Sequence, residues 1–350
     1  MMEQTKKRIE YLDIAKAIAI FLVVVGHVAQ AYDAPYWRVA IYSFHMPLFF
    51  IVSGITTSRH IKVEKYYSGK AWWTFIKKNI FALLIPYLIW ALIFMPFDFA
   101  KLPGIFYGSW DMLNTIGTNV ALWYLPALFL ARLEMNGILA VSARLKLPRR
   151  IFALICAVLA FVIAFVIPYP KIGYPLGFAH SLIGLGFMLI GYACKDILDA
   201  VSKKAIWIQL IIMAAALALF FFGTTREDIQ LVTMFSFQFG NKFWFFWNAL
   251  SGTLAVFMLS SVLSSVRRQV GEGKIYRFIV WLGQNTIGIY LLHLPFARNF
   301  IAPLLDSVGI PRLSFWGALV DGVIVMAICC VLVKFIEKYI PQLFGRNISF

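Results

Sequence analysis

The sequence predicts an all-α fold: a polytopic membrane bundle of about ten transmembrane helices, one domain over residues 1–350, with both termini cytoplasmic. Three observations carry that expectation. The 350-residue chain is 61% hydrophobic and only 14% charged, with a mean hydropathy of +0.81. Its apolar runs approach the roughly 20 residues that a helix needs to cross a bilayer. Its basic residues also alternate between successive loops, as the positive-inside rule requires.

The expected spans lie at 12–33, 37–58, 79–98, 119–142, 150–168, 174–194, 204–223, 244–264, 276–297 and 314–336. The first is apolar from Ala17 to Val25. It resembles a signal peptide, with Lys6-Lys7-Arg8 before it and the small-x-small form Ala29-Gln30-Ala31 after it. Lys16 interrupts its start and a second hydrophobic span follows at once, so the span is retained. The second carries Pro47, tolerated in a membrane helix where neighbours satisfy the freed carbonyl. The third starts at Lys77-Lys78, the fourth holds Arg132, Glu134 and Asn136, and the fifth stops at Pro168. His180 marks the sixth, and after the seventh comes a mixed loop, 225–243, open to a re-entrant path. Trp244 and Trp247 begin the eighth as interfacial anchors, the ninth carries Tyr290 and His293, and the tenth contains Cys329-Cys330. No internal repeat or long hydrophilic insertion divides the chain.

The net charge of +16 is a topology signal. With the N-terminus inside, 23 Lys and Arg residues fall on inner segments and seven on outer ones; Lys16 and Arg132 lie within spans. That distribution argues against nucleic acid as a partner. The four cysteines, Cys156, Cys194, Cys329 and Cys330, lie in or at the ends of spans without a metal-like CxxC pair, so no zinc site or disulfide framework is expected and no metal is invoked. They read as packing residues.

Ionisable groups inside a membrane are costly and point to function. Lys16 and His27 are eleven residues apart on span 1. Helical geometry puts them about 20° apart around the axis and about 16 Å apart along it. Depth then sorts the histidines: His27, His45, His180 and His293 gather toward the outer side, and only His60 is cytoplasmic. His180 reads as structural. At the inner level Asp13 can pair with Lys16 on one face, and Arg132, Lys77 and Lys78 make a basic pocket suited to phosphates. For Lys77 and Lys78, snorkelling at a helix end explains the residues equally well.

The blocks Tyr11-Leu12-Asp13-Ile14-Ala15-Lys16, Phe44-His45-Met46-Pro47-Leu48-Phe49-Phe50 through Ser53-Gly54, Leu122-Trp123-Tyr124-Leu125 and Ile289-Tyr290-Leu291-Leu292-His293 together resemble the acyltransferase-3 family of integral membrane acyltransferases, in particular its fucose 4-O-acetylase-like branch. The likeness covers nearly the whole chain. One departure stands out: Lys16 occupies a position where the family usually has arginine, with ten residues between it and the histidine. Lysine offers a point charge where arginine grips an anion with two parallel hydrogen bonds.

The resemblance implies an O-acyltransferase that moves an acyl group, most often acetyl, from cytoplasmic acetyl-CoA to a hydroxyl of a sugar or cell-envelope glycan, in a bacterial plasma membrane. Acetyl-CoA is then a co-substrate, with no cofactor permanently bound, and the bilayer, the donor and the glycan are the partners. Histidine suits removal of the hydroxyl proton. The implied catalytic set is His27 as base, with Lys16 and His45. Asp13, Ser53, Trp123, Arg132, Asn285, Tyr290 and His293 are implied substrate-binding residues; His45, Tyr290 and His293 would orient the acceptor or the developing oxyanion. Lys16, Lys77, Lys78 and Arg132 would hold the donor's phosphates. Either the pantetheine arm threads inward along the Lys16–His27 face, or an acyl-enzyme carries the group across, with Ser53 as carrier. The competing class is a multi-pass transporter or flippase of a glycan or lipid-linked substrate.

Overall fold

Apolar segments of this length fold as helices because every backbone polar group is then satisfied within its own segment. The computed structural model describes residues 9–28, 35–60, 69–95, 98–226, 229–309 and 314–346. The basic residues Lys6, Lys7, Arg8, Lys62, Lys65 and Arg312 and the 29–31 segment lie outside the described residues. Among the described residues the helices are α1 (Glu10–Val28), α2 (Tyr36–His60), α3 (Gly69–Asn79), α4 (Ile85–Phe94), α5 (Leu102–Tyr107), α6 (Trp110–Ile116), α7 (Tyr124–Arg144) and α8 (Arg149–Val166). They continue with α9 (Phe178–Val201), α10 (Ile206–Thr224), α11 (Lys242–Val270), α12 (Lys274–Gln284), α13 (Thr286–Phe296), α14 (Ala302–Ser307) and α15 (Phe315–Tyr339). The only β pairing among them is a single bridge, Thr233 to Gln238.

Among the described residues eight helical segments are long and apolar enough to cross a membrane, and α1, the expected first span, is not one of them. They match eight of the expected spans, with two informative differences. The third begins at Gly69 rather than near 79, because α3 continues through a π-helical turn, Ile80–Leu84, into α4. Its lysines stand on the exposed face, so they do not end the helix. The expected ninth span is two eleven-residue helices, α12 and α13, joined at Asn285. Within the expected 225–243 loop, residues 229–241 form a loop with a 3₁₀ turn at Met234–Ser236, and α11 begins at Lys242.

α1 is the central element, packing against α2, α11, α12, α13 and α15. Its first turn is tied at one end of the bundle. Tyr11 Oη donates to Asp199 (2.8 Å), Tyr276 Oη donates to Glu10 (2.8 Å), and Arg267 lies 3.4 Å from Glu10. The starts of α1 and α12 therefore share an end with the close of α9 and α11, as alternating spans require.

Two contacts bring backbones close enough to fix the bundle. On α2 and α9 the glycines are reciprocal: a Cβ at Gly54 would run into the Met188 backbone, and one at Gly191 into the Ile51 carbonyl. Small residues allow such approach between membrane helices. Gly283 on α12 likewise leaves room for the Asp13 carbonyl of α1. Cys329 and Cys330 are buried in the core face of α15.

The chain after α15 returns to brace the interior. Trp90 Nε1 donates to the Leu343 carbonyl (2.9 Å), and the Trp90 and Phe344 rings stack at 6.1 Å. Arg346 donates to Asn285 Oδ1 (3.0 Å) and to the Gln284 carbonyl (2.8 Å), clamping the α12–α13 junction.

Candidate active site

Helical periodicity builds the site. α1 offers Leu12, Asp13, Lys16 and Ile20, α2 offers Met46, Phe49, Ser53 and Thr56, and α7 offers Tyr124, Leu128 and Arg132; each set is a stripe at three- and four-residue spacing. With Gln284, Ile287 and Tyr290 these stripes line a cavity of about 650 Å³, within the range of small-molecule sites.

Arg132 brings a half-buried guanidinium to it. Its Nη1 donates to Asn79 Oδ1 (3.2 Å) and its Nη2 to Ser53 Oγ (3.3 Å), both neutral partners. Asn79 is held for this by its own amide, which donates to the Phe75 carbonyl (2.9 Å) just before the π-helical turn. Lys16 also faces the cavity, but Asp13 sits 2.6 Å from its ammonium, and Gln284 donates to the same carboxylate at 3.5 Å. The i,i+3 pairing expected from the sequence is present, and it leaves more of the site's uncompensated positive charge to Arg132 than to Lys16.

A second, much smaller chamber of about 10 Å³ lies beyond the first, lined by His27, Tyr42, His45, Met46, Trp123, Val232, Met234, Phe235 and Tyr290. That is space for about one water. Met46 and Tyr290 belong to both linings and form the partition. The face of α1 that presents Lys16 to the large cavity presents His27 to the small one.

Three histidines meet here. The His27 ring lies 5.1 Å from that of His293 and 6.4 Å from that of His45. Each directs Nδ1 at a backbone carbonyl of its own helix: His27 at Val23 (2.7 Å), His45 at Ile41 (2.8 Å) and His293 at Tyr290 (2.7 Å). A carbonyl only accepts, so Nδ1 carries the proton in the neutral ring and Nε2 keeps the lone pair. His45 and His293 are buried, and His27 is half-buried.

The turn bearing Trp123 is positioned by Asn119. Its side chain accepts from the Ala121 amide (3.1 Å) and donates to the Leu291 carbonyl (3.1 Å), binding the turn to α13. Tyr290 Oη donates to the Ala121 carbonyl from the opposite side. With its proton so engaged, Tyr290 serves as a wall.

The remaining expected residues lie elsewhere. His180 is buried apart from the three, donating from Nε2 to the Phe235 carbonyl (3.0 Å), with its ring 5.1 Å from Trp123. It anchors the loop that roofs the small chamber. Lys77 and Lys78 are exposed and outside the cavity lining; Lys77 lies over the Trp73 ring at 5.5 Å. Asn285 is buried in the junction, donating to Trp281 and accepting from Arg346, and does not line the cavity. Sequence reading passed over Asn79, Gln284, Tyr42 and Arg38. Arg38, counted as an outer loop charge, is buried, with its guanidinium 4.9 Å over the Tyr42 ring. The spacing Arg38, Tyr42, His45 on one helix face was the available signal.

Known proteins share this sequence pattern. Residues 9–334 match the family described as "Acyltransferase domain", Acyl_transf_3. The nodulation protein NolL of Mesorhizobium japonicum is 26% identical over 306 residues, covering 82% of this chain and 76% of the relative. NolL of Sinorhizobium fredii is 33% identical over 134 residues, covering 34% of each chain. The match over residues 9–334, in an all-helical bundle with long apolar helices, places the chain in the acyltransferase-3 family of membrane acyltransferases.

Proposed function

We propose that the protein is an O-acetyltransferase of a bacterial plasma membrane, moving an acetyl group from cytoplasmic acetyl-CoA to a hydroxyl of a sugar or envelope glycan. The observation that carries this reading is the pair of chambers sharing the Met46–Tyr290 partition, with Arg132 and Lys16 on one side and His27 and His45 on the other. The donor enters from the Lys16 end, which the charge distribution assigns to the cytoplasm. Arg132 and Lys16 attract its phosphates, and the pantetheine arm runs along α1 toward the partition. The acceptor hydroxyl approaches from the histidine side. Nε2 of His27 takes its proton, the hydroxyl oxygen forms the new C–O bond, the thioester C–S bond breaks, and the proton passes to the departing thiolate. Direct transfer is favoured over a Ser53 acyl-enzyme, since Ser53 Oγ faces Arg132 and lies on the large-cavity side. The carbohydrate acceptor rests on the likeness of the quoted blocks to the fucose 4-O-acetylase-like branch.

Membranes containing the full chain, given labelled acetyl-CoA and followed by glycan analysis, test this. Label in an O-linked ester on glycan, lost with His27→Ala, is the expected result. Movement of a glycan across the bilayer with no acylation and no thiol release would overturn it in favour of a transporter.

A further inference from the structure

The two chambers differ in volume by well over an order of magnitude, about 650 Å³ against about 10 Å³, and a single layer of side chains, Met46 and Tyr290, separates them. From this we propose that Met46 and Tyr290 act as a ruler that restricts the transferred group to the shortest acyl chains. The inference rests on the acyl-transfer reading above.

For transfer, the thioester carbon must come within reach of a hydroxyl activated on the histidine side. The sulfur and its arm arrive through the large cavity, so the acyl chain projects past the partition. There it meets space for about one water, which a methyl group fills. Each further methylene must displace Met46, Trp123 or the roof at Phe235, all packed side chains. Rejection by a filled apolar pocket runs to about tenfold or more per methylene. The two partition residues contribute differently. Tyr290 is rigid, because its hydroxyl is bound to the Ala121 carbonyl and its ring packs against Tyr124 at 5.6 Å. Met46 is unbranched and adaptable, and it sits next to His45 on α2. Shortening Met46 therefore enlarges the small chamber without releasing the Trp123 turn. The bond changes stay those of ordinary acyl transfer, with C–O formed, C–S broken and the hydroxyl proton delivered to the thiolate.

The test supplies labelled acetyl-, propionyl- and butyryl-CoA separately to membranes carrying the full chain. It reads acyl incorporation and thiol release, with insertion checked by size-exclusion profile in detergent. Wild type should favour acetyl over butyryl, two methylenes longer, by about a hundredfold or more, and Met46→Ala should bring the ratio to within about tenfold, mainly by raising butyryl transfer. Met46→Val, a smaller change in volume, should give an intermediate ratio and serves if the alanine variant inserts poorly. An acetyl-to-butyryl ratio unchanged in both variants, or no chain-length preference in wild type, overturns the ruler while leaving acyl transfer standing. Absence of transfer from every CoA thioester by well-inserted wild type overturns the acyl-transfer reading itself, and the ruler with it.

Discussion

The imidazoles of His27 on α1 and His293 on α13 lie 5.1 Å apart, ring centroid to ring centroid, at 78° to one another. His27 lines the small chamber while His293 is fully buried behind it. The two rings should therefore fail differently. His27→Ala should lower acetyl transfer by about a hundredfold or more, the usual worth of a general base, at normal levels of inserted protein. His293→Ala should cost less, because its loss loosens the base without removing it. Labelled acetyl transfer by purified variants decides the order; near wild-type turnover in His27→Ala would remove that residue from the chemistry.

Arg132 should act on donor binding. Its guanidinium is held by Asn79 and Ser53, two neutral partners, and is available to a phosphate. Charge-assisted hydrogen bonds contribute about 1.5–3 kcal/mol, so Arg132→Ala should raise KM for acetyl-CoA by roughly tenfold or more, with kcat changing less. Arg132→Lys should recover only part of this, since lysine cannot bond to Asn79, Ser53 and donor in the fork geometry. A fall in kcat at constant KM would contradict the assignment.

Gly54 and Gly191 set the distance between α2 and α9, and through α2 the position of His45 and Ser53. Either glycine changed to alanine pushes a methyl into the facing backbone. The expected cost is about 1–3 kcal/mol, typical of overpacking, read as a lower unfolding temperature in detergent. Because both substitutions strain one contact, the double variant should lose less than the sum.

His180 should matter to the roof rather than to the donor. His180→Ala removes the hydrogen bond to the Phe235 carbonyl, which fastens the loop over the small chamber. Hydrogen exchange of backbone amides in 229–241 should become faster, and KM for acetyl-CoA should hold. Unchanged exchange in that loop would show that the aromatic contacts, such as Trp110 with Phe235 at 5.1 Å, suffice to keep it shut.

The sequence made eight of the ten expected spans legible for a physical reason: they follow from hydrophobic length, which is a local property. The Asp13–Lys16 pair was equally legible, being three residues apart on one helix. Azimuth was not. That His27, His45 and His293 meet while His180 stands apart depends on how α1, α2, α9 and α13 pack. The break at Asn285 was hidden because hydropathy runs on through it, and the side chain that clamps it, Arg346, lies 61 residues away. Arg38 and Asn79 were missed for a similar reason. A charge near a span end and a lone amide look like surface until the tertiary fold buries them.

The clamp also bears on how the protein is made. Gly283, Gln284, Ile287 and Tyr290 complete the cavity wall, and Arg346 pins the junction they flank. Synthesis proceeds from the N-terminus at about 5–20 residues per second, so Arg346 is made seconds after the junction residues it braces. A nascent chain can therefore carry its histidines and Arg132 in the bilayer for seconds with one wall unbraced. Arg346, made 61 residues after Asn285, then braces that wall of the cavity.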